Sequence, residues 1–146
     1  MSYFGFKKRP AKTSDYSKLL GKLDYAFSEV VRLTAADEKE GMCICITCGD
    51  KQHWTDMECG HYVKRRHLAT RYDLQNCGAQ CSTCNCVNDG REDEHERYID
   101  RTYGEGTAAK LKRKAQSEPK FTERELLGML DELRKEIKAL REEKFS

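Results

Sequence analysis

The chain has 146 residues, of which 36% are charged and 38% hydrophobic, its eight cysteines included, and its formal net charge is only +2. That length fits one domain with appendages and excludes two full domains. So small an apolar share excludes a large core, and a small domain short of core generally needs a staple.

No apolar run is long enough to cross a bilayer, so no membrane association is expected. Lys7, Lys8 and Arg9 have no apolar stretch behind them, which speaks against a secretory signal. A reducing compartment is therefore expected, where cysteines point to metal ligands rather than disulfides.

Residues 1–13 carry Gly5, Pro10 and four basic residues and read as a flexible basic arm. Ser14 or Asp15 can cap a helix running to about Asp37. Leu19, Leu20, Leu23, Phe27, Val30, Val31 and Thr34 recur at helical spacing along it, which predicts a packing helix over the small core. Gly41 ends this segment. Cys45 to Gly49 reads as a knuckle turn. His53 to Tyr62 and Asn76 to Cys81 are predicted as the two strands of a hairpin joined by a basic loop. Ser82 reads as the N-cap of a short helix ending at Gly90.

A helix is predicted over Glu92 to Tyr103, with Tyr98, Ile99 and Tyr103 inward, broken by Gly104 and Gly106. A basic helix over Thr107 to Gln116 gathers Lys110, Lys112, Arg113 and Lys114, and Ser117-Glu118-Pro119 is a linker. Thr122 and Glu125 fit a capping box that starts the last helix. Leu126, Leu130, Leu133, Ile137 and Leu140 then form a seam about two heptads long. This seam either folds back onto its own domain or pairs two copies through residues 122–144. The expected organisation is an arm (1–13), a zinc-stabilised domain with its N-terminal packing helix (14–106), and a basic helix, linker and association helix (107–146).

Two Cys-x-x-Cys pairs, Cys45/Cys48 and Cys81/Cys84, bracket this middle region. Zinc favours four tetrahedral ligands, and each such turn aims two sulfurs at one ion. The 32 residues between Cys48 and Cys81 leave room for a hairpin. A structural Zn²⁺ on Cys45, Cys48, Cys81 and Cys84 is predicted, and it would stabilise a domain that lacks core. Cys43-x-Cys45 and Cys84-x-Cys86 offer variations on that ligand set. Otherwise Cys43, Cys59, Cys77 and Cys86 are expected to be small buried residues. Lys64, Arg65, Arg66 and Arg71 lie in a stretch, Gly60 to Tyr72, that has no acidic residue. They are candidates for phosphate contacts.

Glu58-Cys59-Gly60-His61-Tyr62, Arg71-Tyr72-Asp73-x-x-Asn76 and Gln80-Cys81-x-x-Cys84-Asn85 together resemble the HNH nucleases, whose active site is a ββα-metal unit of treble-clef-like form. The closer resemblance, over Leu19 to Tyr103, is to the phage NinG/Rap recombination endonucleases. The Cys-x-x-Cys-Asn ending is also similar to the endonuclease VII family. The resemblance implies an α+β fold with a small zinc-stapled core flanked by helices. It implies a metal-dependent endonuclease of a phage, working in the cytoplasm of its bacterial host on branched DNA such as Holliday junctions or D-loops. It also assigns roles: His61 as the base that activates water, Asn85 as a ligand to a catalytic Mg²⁺ or Mn²⁺, and Asn76 as the brace of the His61 loop.

Many HNH enzymes carry an acidic or His metal ligand just before the catalytic His, where this chain has Gly60. The NinG-like proteins share that Gly. Glu58, Asp73, Asn88 and Asp89 are the candidates to complete the ion's ligands, with Asn88 three residues beyond Asn85 and so near it on a helix. His53, His67 and His95 lack the motif and are expected at the surface, with His67 near DNA. Two other functions fit the same residues: a non-catalytic zinc module that binds DNA or a recombination partner, and an HNH nuclease cutting linear duplex at defined sites.

Overall fold

The computed structural model describes residues 15–146, so the basic arm and the alternative cap at Ser14 lie outside the described residues. Helix α1 spans Asp15–Ala35 and buries Leu19, Leu23, Ala26, Phe27, Val30, Val31 and Leu33. Leu33 has no exposed surface. Thr34, expected inward, instead turns its hydroxyl onto the Val30 carbonyl and stays exposed.

The last helix, α5, covers Glu123–Phe145, and the Thr122–Glu125 capping box is formed in both directions. It lies beside α1 and runs in the same direction. Leu126 and Leu130 pack with Leu19, Leu23 and Ala26, and further along Leu140 packs with Val30 and Leu33. The heptad seam is thus covered within the chain. Lys144 closes the far end by donating to the carbonyls of Thr34 and Ala36 at 2.8 and 2.5 Å, a cation at the negative end of α1. Arg141 pairs with Glu29. The guanidinium groups of Arg32 and Arg141 lie over the Trp54 ring, 5.2 and 5.3 Å from its centre.

Two small antiparallel sheets sit on the other side of α1. Strands β1, Met42–Ile44, and β2, Lys51–His53, form a hairpin around the cysteine knuckle. The sequence shows short β-like pieces here but not their pairing, because three-residue strands are too short to show a period of two. Strands β3, Glu58–His61, and β4, Cys77–Gln80, form the expected hairpin, shorter than predicted, with Gly60 opposite Gly78 and His61 opposite Cys77.

The link between them is more than a basic loop. It holds the short helix α2, Leu68–Arg71, and a 3-10 turn at 74–76 whose N-cap is Asp73. The two facing glycines make room. A Cβ on Gly60 would lie 1.8 Å from Gln80 Oε1, and one on Gly78 would lie 2.4 Å from the Ile46 side chain. After β4 the chain makes a π-helical turn, Thr83–Val87, closed by the Asn88 amide on the Thr83 carbonyl.

Helix α3, Glu92–Tyr103, has the predicted bounds, but His95 and Ile99 are its buried residues. Tyr98 is partly buried, and Tyr103 is 41% exposed rather than inward. Helix α4, Thr107–Lys114, packs Ala108 and Leu111 against Ile99, Tyr62 and Val63. Two of its basic residues are paired inside the molecule, Lys112 with Glu92 and Lys114 with Asp73. The architecture is mixed α+β, with a cysteine cluster able to bind metal.

Candidate metal centre and adjoining cleft

The β1–β2 hairpin brings Cys45 and Cys48 to the same place that the end of β4 and the π-helical turn bring Cys81 and Cys84. The four sulfurs lie within 4.8 Å of one another. Cys48 and Cys81 are 3.7 Å apart, sulfur to sulfur. A tetrahedron of Zn–S bonds of about 2.3 Å places its sulfurs about 3.8 Å apart, so the spacing fits one zinc ion and is too long for a disulfide.

Burial opposes ionisation of Cys45. It is outweighed by the Thr47 hydroxyl and the backbone amides of Cys81, Thr47 and Cys48, which bring the pKa down to about 6. Cys48 has the Asp50 amide in its favour, yet burial and the neighbouring sulfurs push it up to about 12. One thiolate therefore forms readily, and more than one calls for a cation among them. Cys43 is fully buried on Arg32 and Cys77 is buried, as expected of spare cysteines, whereas Cys59 is half-buried and Cys86 is exposed.

Next to this centre an open cleft is lined by Glu58, Cys59, His61, Lys64, Arg65, Asn85 and Cys86, with Asp24, Ser28 and Arg32 of α1 along its far side. His61 and Asn85 thus face one space. The His61 Nε2–H donates to the Arg71 carbonyl at 2.9 Å. A carbonyl only accepts, so the proton sits on Nε2 and Nδ1 keeps its lone pair. Burial lowers the His61 pKa below its ordinary value, although the Arg71 carbonyl, Asp24 and the Cys59 carbonyl pull the other way and Arg65 assists. The neutral ring is favoured near pH 7.

Asn76 is fully buried. It accepts from the Val63 amide and donates to the carbonyls of Val63 and Thr70 at 2.8, 3.0 and 3.1 Å. Its amide locks the start of the segment after His61 to the segment's end. Asn85 Nδ2 donates to Glu58 Oε1 at 2.8 Å, which leaves the Asn85 carbonyl oxygen available.

Other predicted site residues are committed elsewhere. Asp73 caps the 3-10 turn through the Gln75 amide and pairs with Lys114 at 2.6 Å, away from the cleft. Asn88 is exposed and does not line the cleft. Asp89 has a left-handed φ of 51° and a side chain 97% exposed, near Lys64. Of the four acidic or amide candidates, only Glu58 lines the cleft.

Arg71 gives its guanidinium to Asp24 in a two-pronged pair at 2.9 and 2.6 Å, and Tyr72 donates to the same carboxylate. Its charge is spent on holding α2 to α1. Arg66 is exposed and bonds His67, beside a different surface hollow. Lys64 and Arg65 remain in the cleft, where Arg32 joins them. His95 is not at the surface: it is 1% exposed, and burial, then the nearby His61 and Lys64, bring its pKa down to about 4.

Gln80 opens the Gln-Cys-x-x-Cys-Asn motif, which by itself assigns it no role. It is fully buried and donates to Thr47 Oγ1 and the Gly90 carbonyl at 3.1 and 2.9 Å, tying the knuckle to the end of the π-helical turn. Its side chain fills the space over Gly60. An acid at position 60 would therefore meet Gln80.

The family model described as "Bacteriophage Lambda NinG protein" matches residues 4–143. No curated protein and no solved structure matches the chain.

Proposed function

The chain belongs to the bacteriophage lambda NinG family, and from that premise we propose that it is a metal-dependent DNA endonuclease built on a zinc-stapled ββα-metal core. One observation carries the proposal: His61, with Nε2 held by the Arg71 carbonyl, shares a cleft with Asn85 and Glu58. An imidazole neutral at pH 7 and fixed in one tautomer can take the proton of an attacking water.

The Glu58 carboxylate and the Asn85 carbonyl are hard oxygen donors suited to Mg²⁺ or Mn²⁺. Glu58 supplies the carboxylate that Gly60 lacks. A divalent ion, when bound there, polarises the phosphate and offsets charge on the departing oxygen. Lys64 and Arg65, 52% and 61% exposed, contact the flanking phosphates. Asn76 keeps the loop behind His61 in place.

The substrate is branched recombination DNA, a Holliday junction or D-loop. The cleft presents cations rather than a helix of base-reading side chains, which favours recognition of shape. Paired cuts at a junction call for two copies. Because the α5 seam already lies on α1, the second copy meets a different face.

The test is cutting of junction, flap and linear duplex by the full chain with Mg²⁺ or Mn²⁺, comparing wild type with His61→Ala and Asn85→Ala. Removing a positioned base should lower the rate on the order of 10²- to 10⁴-fold. Undiminished cutting by His61→Ala would reject the assignment. Binding without cutting under every ion would leave a non-catalytic zinc module, and a single cut site in linear duplex would select a site-specific enzyme.

A further inference from the structure

Cys59 and His61 alternate along β3 and so share one side of it, and the antiparallel register sets Cys77 of β4 opposite His61. One ligand atom from each of the three lies within 4.8 Å of the other two. None of them belongs to the four-cysteine centre.

Two sulfurs and an imidazole are the donor set of soft and borderline ions such as Zn²⁺, whereas Mg²⁺ and Mn²⁺ prefer oxygen. The imidazole is already prepared for ligation. Metal-bound His generally donates its other N–H to a carbonyl or carboxylate, which fixes ring and tautomer, and His61 does this on Arg71 at 2.9 Å. Cys59 and His61 line the open cleft, with Cys77, 3% exposed, beneath them. An ion held there would have three protein ligands and one open side, the pattern of an accessible zinc site.

We propose that Cys59, His61 and Cys77 form a second metal site, selective for thiophilic divalent ions such as Zn²⁺, whose occupation ties up the ring nitrogen of His61 that the Arg71 carbonyl does not hold. The site itself stands on its donors and their spacing. Its consequence for cutting rests on the nuclease reading, because a lone pair given to zinc cannot take a proton from water.

Stripped full-length protein is titrated with Co²⁺ and, separately, Zn²⁺ under reducing conditions. Two equivalents are expected, the second with thiolate-to-cobalt absorption. In Cys77→Ser, and independently in the half-buried Cys59→Ser, the first equivalent should remain. The second should weaken by more than about 100-fold, beyond the loss caused by removing an outer partner alone. One equivalent in wild type, or a second equivalent of unchanged affinity and absorption in both variants, overturns the site.

In the cutting assay, the second Zn²⁺ equivalent should stop wild type in the presence of Mg²⁺. Cutting that ignores it overturns the blocking of His61. Absence of cutting by wild type under every ion refutes the nuclease reading and the blocking with it, while the stoichiometry still decides the site.

Discussion

His95 shows how one side chain can reverse its expected place. Its ring packs near Tyr62 and Tyr98, with centroids 5.7 and 6.2 Å away, and its Nε2 has no hydrogen-bond partner among the described residues. The sequence offers no signal for this, since a His among charged residues on a helix reads as solvated. Burial keeps the ring neutral, with its pKa near 4 against about 6.5 when unfolded. Between those values the unfolded chain binds the extra proton, so stability is intact above about pH 6.5 and declines as pH falls toward 4. The His95 share of that loss is on the order of 3 kcal/mol. Denaturant melts at pH 7.5 and pH 5 should show the loss in wild type and a smaller one in His95→Phe, which fits an apolar pocket. An equal pH slope in both proteins would contradict the assignment. Gly60 is the converse case. It looks like a missing ligand in the sequence, but its bare backbone is what lets Gln80 join knuckle, strand and turn.

Among the elements, α1 and α5 behave as one unit. The leucine spacing of α5 fits both an intermolecular seam and a packed helix, because either partner wants the same apolar stripe. The structure uses the stripe on α1. Leu130, 3% exposed, sits in that contact with Leu19, Leu23 and Ala26. Leu130→Ala should destabilise the protein by about 2–5 kcal/mol, measured by denaturant unfolding, without changing its oligomeric state in sedimentation. Dissociation of a dimer by this substitution would instead place the seam between two copies. Helix α1 also supplies Asp24 and Arg32 to the cleft, 34 and 26 residues before Glu58. In the sequence α1 reads as a cover only, because its apolar stripe says which face is buried and nothing about what its polar edge will meet.

In the whole molecule the four cysteines join the only sheets among the described residues to the turn that carries Asn85. The surrounding apolar cluster is small, made of Ala36, Met57, Ala79 and cysteines, with Trp54 at its side. A zinc ion held by the four cysteines would therefore supply much of its stability, since apparent binding energies of structural zinc are on the order of 10 kcal/mol or more. Removing zinc with a chelator should abolish amide-exchange protection across β3 and β4 and, with it, any cutting. The α1–α5 pair, held by leucines, should keep most of its helical circular dichroism. Simultaneous loss of both signals would show that the helices depend on the metal as well. No helix among the described residues is long and apolar enough to cross a membrane.

Local signals in the chain were enough to determine the four-cysteine cluster able to hold a metal, the bounds of α3, the capping box and the pairing of the strands around His61. Spacing of two, three or four residues is a property of the chain itself, and the chemistry of a Cys-x-x-Cys turn or a Thr–Glu cap is completed within that span. Only the tertiary structure decided that Glu58 rather than Asp73, Asn88 or Asp89 faces Asn85, that Arg71 is spent on Asp24, and that Cys59 and Cys77 close around His61. Those outcomes join residues from 16 to 47 positions apart, and which partners meet across such distances is fixed by how helices and strands pack, not by their neighbours in sequence.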